Sequence, residues 1–350
     1  MTSTPGRLTS DYSFDLPPDQ IASAPAEHRE QSRLLVMDRG SSGELRHRRF
    51  ADVVDLVSPG DVMVVNETRV FPARLRGVRA GGGAAEVLLL HADPADPAVW
   101  TALVRPGAKL KPGRMVEIGE ELGVEVLDST PGGERIVRLV TRLPLMAAIE
   151  KNGEVPLPPY IRRAPTDEDR ERYQTVYARE SGSIAAPTAG LHFTPELLNR
   201  LTERGVSFAP VVLHVGVGTF RPVEVEDPAE HQMHSEWYRV PESSATLINA
   251  ARSAGASVWA VGTTSVRTLE SVASEDGQVS AGEGWTEIFI RPPYSFRAVD
   301  RLITNFHLPR STLLMLVAAF AGYEGVMRAY GEAVRQDYRF YSYGDAMAVI

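Results

Sequence analysis

Between Val70 and Leu143 the chain changes texture, and that break limits its architecture more than any other feature. Five short runs rich in apolar and β-branched residues, Ala85–Leu90, Trp100–Val104, Met115–Ile118, Val124–Leu127 and Ile136–Val140, are separated by turn signals such as Ala80–Gly83 and Pro131–Gly133. Five strands at this spacing predict a small barrel. Both flanks read differently. Val53–Val57, Val62–Asn66, Val211–Val215 and Val258–Val261 have the composition of buried strands, whereas Glu168–Ala178, Pro195–Arg204, Ser265–Ala273, Thr312–Ala321 and Tyr323–Gln336 carry helical patterns. A chain of 350 residues also exceeds one comfortable core. The expected organisation is an α/β (α+β) two-domain protein: a larger, barrel-like α/β domain from 1–66 and 148–350, interrupted by a small all-β barrel over 67–147.

Composition removes several functional classes. The chain has no cysteine, which excludes disulfides, thiolate zinc sites and a cysteine nucleophile. No apolar run approaches the ~18–20 residues of a membrane span, and no basic segment followed by an apolar one opens the chain, so a cytoplasmic location is expected. Only three of the 37 basic residues are lysines (Lys109, Lys111 and Lys151), which leaves few candidates for a Schiff base. A net charge of −8 opposes non-specific nucleic-acid binding. From Asn66 to Arg114, however, eight basic residues outnumber four acidic ones, a local patch able to meet phosphates.

Several segments have the residue types of a ligand site. GSIAAPTAGLHFT (Gly182–Thr194) offers almost no side chain to bury, and its small residues permit close approach of backbone to a ligand. Thr194-Pro195 then reads as the cap and first residue of a helix whose dipole favours an anion, with His192 just upstream. An ordinary glycine-rich surface loop is the alternative. LHVGVGTF (Leu213–Phe220) has a glycine-rich turn, but Arg221-Pro222 follows where a dinucleotide fingerprint needs a third glycine and a helix. VGTTSVR (Val261–Arg267) reads as strand, turn and helix start, suited to a carboxylate or phosphate; the alternative is that Thr264 or Ser265 is simply the cap that such a helix needs. His231-Gln-Met-His234-Ser-Glu236 only loosely matches a metal-ligand set, and exposed or acid–base histidines fit it better. In TNFHLP (Thr304–Pro309), Asn305 and His307 share one face of an extended segment before another helix start; a satisfied core histidine is the alternative. Tyr338–Asp345 packs four aromatics into its first six residues. In a strand, Arg339, Tyr341 and Tyr343 would share a face able to stack a base, although an aromatic stripe is more often core.

The order and wording of these segments resemble the S-adenosylmethionine:tRNA ribosyltransferase-isomerase family of queuosine biosynthesis. The matching pieces run from FDLPPDQIA (Phe14–Ala22) and VVNETRVFPARL (Val64–Leu75) through ALVRPGAKLKPG (Ala102–Gly113) and GEVPLPPYIRR (Gly153–Arg163). They continue with the segments above to LITNFHLPRSTLLMLVAAFAG (Leu302–Gly322) and YRFYSYGDAM (Tyr338–Met347), so they span nearly the whole chain. The resemblance implies a two-domain plan with an inserted β-barrel. It also implies transfer and isomerisation of the ribosyl part of S-adenosylmethionine onto 7-aminomethyl-7-deazaguanine at the tRNA wobble position, giving epoxyqueuosine with release of adenine and methionine. No tightly bound cofactor, no metal and no membrane are expected; S-adenosylmethionine is a co-substrate, tRNA the partner and a monomer the expected state.

Such chemistry needs proton transfer beside the sulfonium, a group that positions the amine, and help for departing adenine, which are tasks for histidine and carboxylate. The candidates are His214, His234, Glu236 and His307, with Asp300 and Asp345 behind them. Thr188, Ala189, Gly190, His192, Gly216, Gly218, Thr263, Thr264 and Asn305 are expected around S-adenosylmethionine. Arg69, Arg74, Arg105, Lys109 and Lys111 are expected at tRNA phosphates, with Tyr341 or Tyr343 stacked on an extruded base. Three positions depart from the family pattern: Pro293 stands where glycine is common, Glu67 where aspartate is usual and Ser23 where glutamine is frequent. None of them removes a candidate catalytic group. A non-catalytic tRNA-binding homologue is one alternative. Another is an S-adenosylmethionine-dependent tRNA methyltransferase, for which the glycine-rich strand, turn and helix near the N-terminus is lacking.

Overall fold

The structure, a computed structural model, describes residues 5–40, 43–216, 218 and 222–350. The chain starts the larger sheet with β1 (Arg33–Met37), β2 (Leu45–Arg49) and β3 (Val62–Asn66), then leaves it through β4 (Thr68–Val70). Six strands follow: β5 (Arg74–Arg79), β6 (Ala84–Ala92), β7 (Val99–Arg105), β8 (Met115–Ile118), β9 (Leu122–Ser129) and β10 (Arg135–Thr141). They pair in the order β5-β6-β7-β10-β9-β8, and β8 returns to β5 at Val78 and Arg79, closing the barrel. Closure removes the sheet edges. Alternate residues such as Val87 and Leu89, or Val124 and Val126, fill the interior together with Phe71, Ile149 and Ile184. All five strands expected here are present. The sixth, β5, is hidden in the sequence because three arginines and Gly77 interrupt its apolar alternation, and Gly77 must stay bare since a Cβ would strike the Glu117 carbonyl on β8.

After α1 (Leu145–Asn152) and β11 (Gly153–Glu154), which pairs with β5, the chain passes through α2 (Asp167–Arg172) and β12 (Glu180–Ser183). β12 lies parallel to β4, so one two-stranded ribbon carries the chain out to the barrel and back. The rest builds the larger sheet and its helices: α3 (Pro195–Glu203), β13 (Ser207–Leu213), β14 (Glu236–Val240), α4 (Glu242–Ser253), β15 (Val258–Val261), α5 (Thr263–Val272), β16 (Gly282–Thr286), β17 (Arg301–Asn305), α6 (Thr312–Ala321), α7 (Tyr323–Arg335) and β18 (Ala346–Val349).

That sheet runs β16-β14-β13-β3-β15-β17-β18-β1-β2, and among the described residues nothing pairs β16 with β2, so it is open. Its centre, β13-β3-β15-β17, is parallel, with β18 antiparallel to β17. Both faces are buried. Along β3, Val62 and Val64 join the core under α4 to α7, while Met63 and Val65 join the one under α3. Strands buried on both sides read as continuous apolar runs, which is why Val62–Asn66 and Val258–Val261 are legible in the sequence.

Three segments differ from expectation. Val53–Val57 is not a strand: Phe50–Asp55 forms a 3-10 helix, opened by the Asp52 carboxylate accepting the Arg49 N–H, with Val53 and Val54 packed beneath the sheet. The helix expected over Glu168–Ala178 ends at Arg172, because Tyr173 is fully buried and Gln174 spends its amide on both backbone groups of Val70. Residues 338–345 form no strand either. Phe340 makes one isolated bridge to Ile21, Tyr341 turns the chain at φ 73°, and β18 begins only at Ala346. Among the described residues no single helix is long and apolar enough to cross a membrane, and α6 and α7 bend by 117° at their junction.

Candidate active site

Because the four central strands are parallel, their carboxyl ends share one edge of the sheet, the place where open α/β sheets take ligands. Asn66 ends β3 there and holds the next strand, its Oδ1 accepting the Leu213 and Thr68 N–H groups and its Nδ2 donating to the Leu213 carbonyl. Gly262–Thr264 leaves β15 and Phe306–Leu308 leaves β17; with Ala185–Ala189, Val215, Tyr160 and Tyr341–Ser342 they line a cleft open to solvent.

Two helices start on the cleft. Gly262 caps α5 at φ 89°, a left-handed conformation that favours glycine, so neither Thr264 nor Ser265 is the cap; the Ser265 hydroxyl donates instead to the Val261 carbonyl. The Thr264 hydroxyl is buried without a partner among the described residues. Ser311 caps α6 by accepting the Leu314 N–H. The helix at Thr194 does not reach the cleft, since Thr194 caps Leu197 and its hydroxyl lies 3.3 Å from Glu30 Oε2.

Of the residues expected around S-adenosylmethionine, Thr188, Ala189, Thr263, Thr264 and Asn305 line this cleft. Gly190 and His192 do not. Gly190 leaves room for the Tyr177 hydroxyl, and His192 is buried against Phe50, with Nδ1 2.7 Å from the Ser32 hydroxyl and Nε2 3.3 Å from Asn305 Nδ2. It meets the cleft only through this contact with Asn305. Gly216 donates its N–H to Glu236 Oε1 at 2.8 Å. Gly218 lines a second, smaller cavity with His231, Met233, His234, Glu236, Arg267 and the first turn of α6, and Leu313 borders both cavities. Val217 and residues 219–221 of the same glycine-rich segment lie outside the described residues.

The proton-transfer candidates separate clearly. His307 is in the wall of the first cleft, with Nε2 2.7 Å from the Thr304 hydroxyl. His234 and Glu236 are in the second cavity, where Glu236 is buried in an ion pair with Arg267. Glu236 is therefore no free base, and among the described residues no three His, Cys, Asp or Glu side chains gather into a metal site. His214 borders neither cavity. It stacks on Trp237, hydrogen-bonds the Thr68 hydroxyl at 2.8 Å and lies against Gly182, where a Cβ would collide with its ring. Asp300 is corrected outright: it sits at the opposite edge of the sheet, where its Oδ2 accepts the Val258 N–H at the start of β15. Asp345 is a fastener, accepting the Arg33 and Arg339 N–H groups.

The expected tRNA residues also divide. Arg74 and Arg105 line a groove of about 650 Å³ between the barrel and residues 156–164, joined by Arg76, Arg162 and Arg163, with Glu86 the one acidic side chain among its described lining residues. Arg69, Lys109 and Lys111 are exposed outside it. Tyr341 lines the first cleft, its ring 4.6 Å from that of Tyr160. Tyr343 is buried and donates to Asp169, so it cannot stack on a base. Sequence reasoning missed Arg267, Tyr160, Thr304 and Leu313. Arg267 had a signal, standing three and four residues beyond Thr264 and Thr263 and so on one helix face with them.

Burial pushes the His192 and His307 imidazoles down to about 3 and that of His214 to about 4; for His192 the nearby Arg339 and Arg29 add to the effect. All three are neutral at pH 7. The unfolded chain protonates these rings near pH ~6.5, the folded chain only near 3 to 4, so unfolding takes up protons across that window. Glu67, whose carboxyl burial pushes up, acts in the opposite sense but is one group against three. The unfolding midpoint is expected to fall steadily as pH drops from 6.5 towards 4, and a midpoint unchanged over that range would contradict the burial of these neutral rings.

Comparisons with known proteins follow the same line. The model of a family described as queuosine biosynthesis protein matches residues 9–349. The chain is 56% identical over 343 residues to the S-adenosylmethionine:tRNA ribosyltransferase-isomerase of Moorella thermoacetica, covering 97% of this chain and 99% of that one, and equally close, with the same coverage, to that of Symbiobacterium thermophilum. Among solved structures, the S-adenosylmethionine tRNA ribosyltransferase of Thermotoga maritima is similar with a TM-score of 0.55 at 38% identity, over 97% of this chain and 99% of that one.

Proposed function

The chain belongs to the queuosine biosynthesis family of S-adenosylmethionine:tRNA ribosyltransferase-isomerases, and we propose that its cleft at the carboxyl edge of the parallel strands is where S-adenosylmethionine meets the modified base of tRNA. The enzyme transfers and isomerises the ribosyl group of S-adenosylmethionine. The acceptor is the aminomethyl group of 7-aminomethyl-7-deazaguanine at the wobble position, and adenine and methionine leave. One observation carries this placement: residues 156–164 wall both the arginine-lined groove and, through Tyr160, the cleft. A tRNA backbone in the groove would therefore bring an extruded base to the Tyr160 and Tyr341 rings.

Within the cleft each residue has a task set by its surroundings. In the tautomer whose Nε2–H donates to the Thr304 hydroxyl, 2.7 Å away, Nδ1 of His307 is the acceptor for the proton beside the sulfonium. The unpartnered Thr264 hydroxyl and the start of α5 face charge developing on the departing adenine. Asn305, held by the Tyr341 carbonyl and His192, keeps a buried Oδ1, unpaired among the described residues, for a ribose hydroxyl or the substrate amine. The enzyme works in the cytoplasm as a monomer. Purified protein with S-adenosylmethionine and tRNA carrying the precursor base should release free adenine only when both are present. Intact tRNA binding without any adenine would instead favour a non-catalytic tRNA-binding protein.

A further inference from the structure

We propose that the second cavity seats the amino-acid end of S-adenosylmethionine, with Arg267 facing its carboxylate and Glu236 its ammonium. The inference rests on the placement of S-adenosylmethionine in the adjoining cleft. Arg267 is only 5% exposed; its Nη1 pairs with Glu236 and its Nε donates to the Ile288 carbonyl at 3.3 Å, while Nη2 is buried with no acceptor among the described residues. A buried guanidinium N–H left without an acceptor is unfavourable, and the cavity beside it is where an acceptor can enter.

A second donor set borders the same space. Ser311 satisfies the Leu314 N–H, so the first free N–H groups of α6 are those of Thr312 and Leu313, and both residues line the cavity. Helix dipole and guanidinium together favour a carboxylate, yet the ion pair itself carries no net charge. A simple anion would meet the Glu236 carboxylate; a zwitterion is complementary to both partners.

The spacing also fits. Thr263 on the first cleft and Arg267 on the second are four residues apart on one face of α5, roughly 6 Å along the axis, and Leu313 borders both spaces. A sulfonium in the first cleft can extend its short methionine chain past Leu313 and present the amino-acid group to the pair.

The test compares S-adenosylmethionine with its decarboxylated analogue, S-adenosyl-3-methylthiopropylamine, which keeps adenine, ribose, sulfonium and amine and lacks only the carboxylate. In adenine release with precursor tRNA, the wild type is expected to show a kcat/KM roughly 10²-fold lower for the analogue. Arg267→Gln should bring the two to within ~3-fold, by lowering kcat/KM for S-adenosylmethionine alone. Because Arg267→Gln strands a buried carboxylate, Arg267→Gln/Glu236→Gln removes both charges and serves if the single variant does not fold. A merely structural role for Arg267 would depress both substrates equally and leave their ratio intact, and that result overturns the inference. So does a wild type that uses the two equally well. A wild type releasing adenine from neither overturns the functional placement on which the inference rests.

Discussion

Replacing His307 by alanine is expected to lower the turnover number for adenine release by at least ~10²-fold while leaving the fold intact. The ring lines the cleft, is held by Thr304, and stays neutral because burial pushes its pKa to about 3. It is thus always available as an acceptor near neutrality, and its own titration should leave no inflection in the rate above pH ~5. The backbone N–H of His307 donates to the Tyr330 hydroxyl whatever the side chain, so the variant retains that anchor. His307→Gln, which keeps a hydrogen-bonding group but no basic nitrogen, should recover binding of S-adenosylmethionine and not turnover. Near-normal turnover in His307→Ala would remove this residue from the proton path.

The second large effect is on stability, at Asp169. Its carboxylate is 1% exposed and accepts from both Nη atoms of Arg163 at 2.5 and 2.8 Å, from the Thr166 N–H and hydroxyl, and from the Tyr343 hydroxyl at 2.8 Å. Burial alone would push this carboxyl up, but Arg163, the Thr166 N–H and the Tyr343 hydroxyl together hold it well below the usual carboxylate range. Asp169→Ala leaves a buried phenol and a guanidinium without their acceptor, at a cost of about 3–5 kcal/mol in unfolding free energy, read from denaturant midpoints. The sign with pH follows from the depressed pKa. The contribution is complete above the unfolded value of about 3.9 and is lost as pH falls below it, so wild type and variant should converge in strong acid. A loss under ~1 kcal/mol at pH 7 would show that the network is not structural.

The sequence makes some of this legible and hides the rest for identifiable reasons. Fully buried strands such as β3 and β15 are plain because both faces are apolar, and the barrel is plain because its strands alternate between marked turns. β5 is hidden because its outward face is arginine and one residue is a glycine demanded by a neighbouring carbonyl. Within Gly182–Thr194, small residues turn out to do two jobs. Ala185, Ala186 and Ala189 open the cleft wall, whereas Gly182 and Gly190 make room for the His214 ring and the Tyr177 hydroxyl. Composition alone does not separate these, since both need the absence of a side chain.

Polar residues behave the same way. His192 and His307 both precede helix starts in the sequence, yet one is buried between Ser32 and Phe50 while the other reaches the cleft. Asp300 is the plainest case: it precedes the same strand that Asn305 ends, so a five-residue strand puts them at opposite edges of the sheet. Arg267 is visible only once α5 is known to begin at Thr263, because its meaning lies in the helical face it shares with Thr263.

The central claim is tested most directly by following ribose carbon. S-adenosylmethionine labelled separately in its ribose and its methyl group is incubated with the enzyme and precursor tRNA, and label in the tRNA is counted against adenine and methionine released. Ribose label should enter tRNA in a one-to-one ratio with both free products, and methyl label should leave with methionine. Methyl label in tRNA with no free adenine would contradict the account and make the chain a methyltransferase.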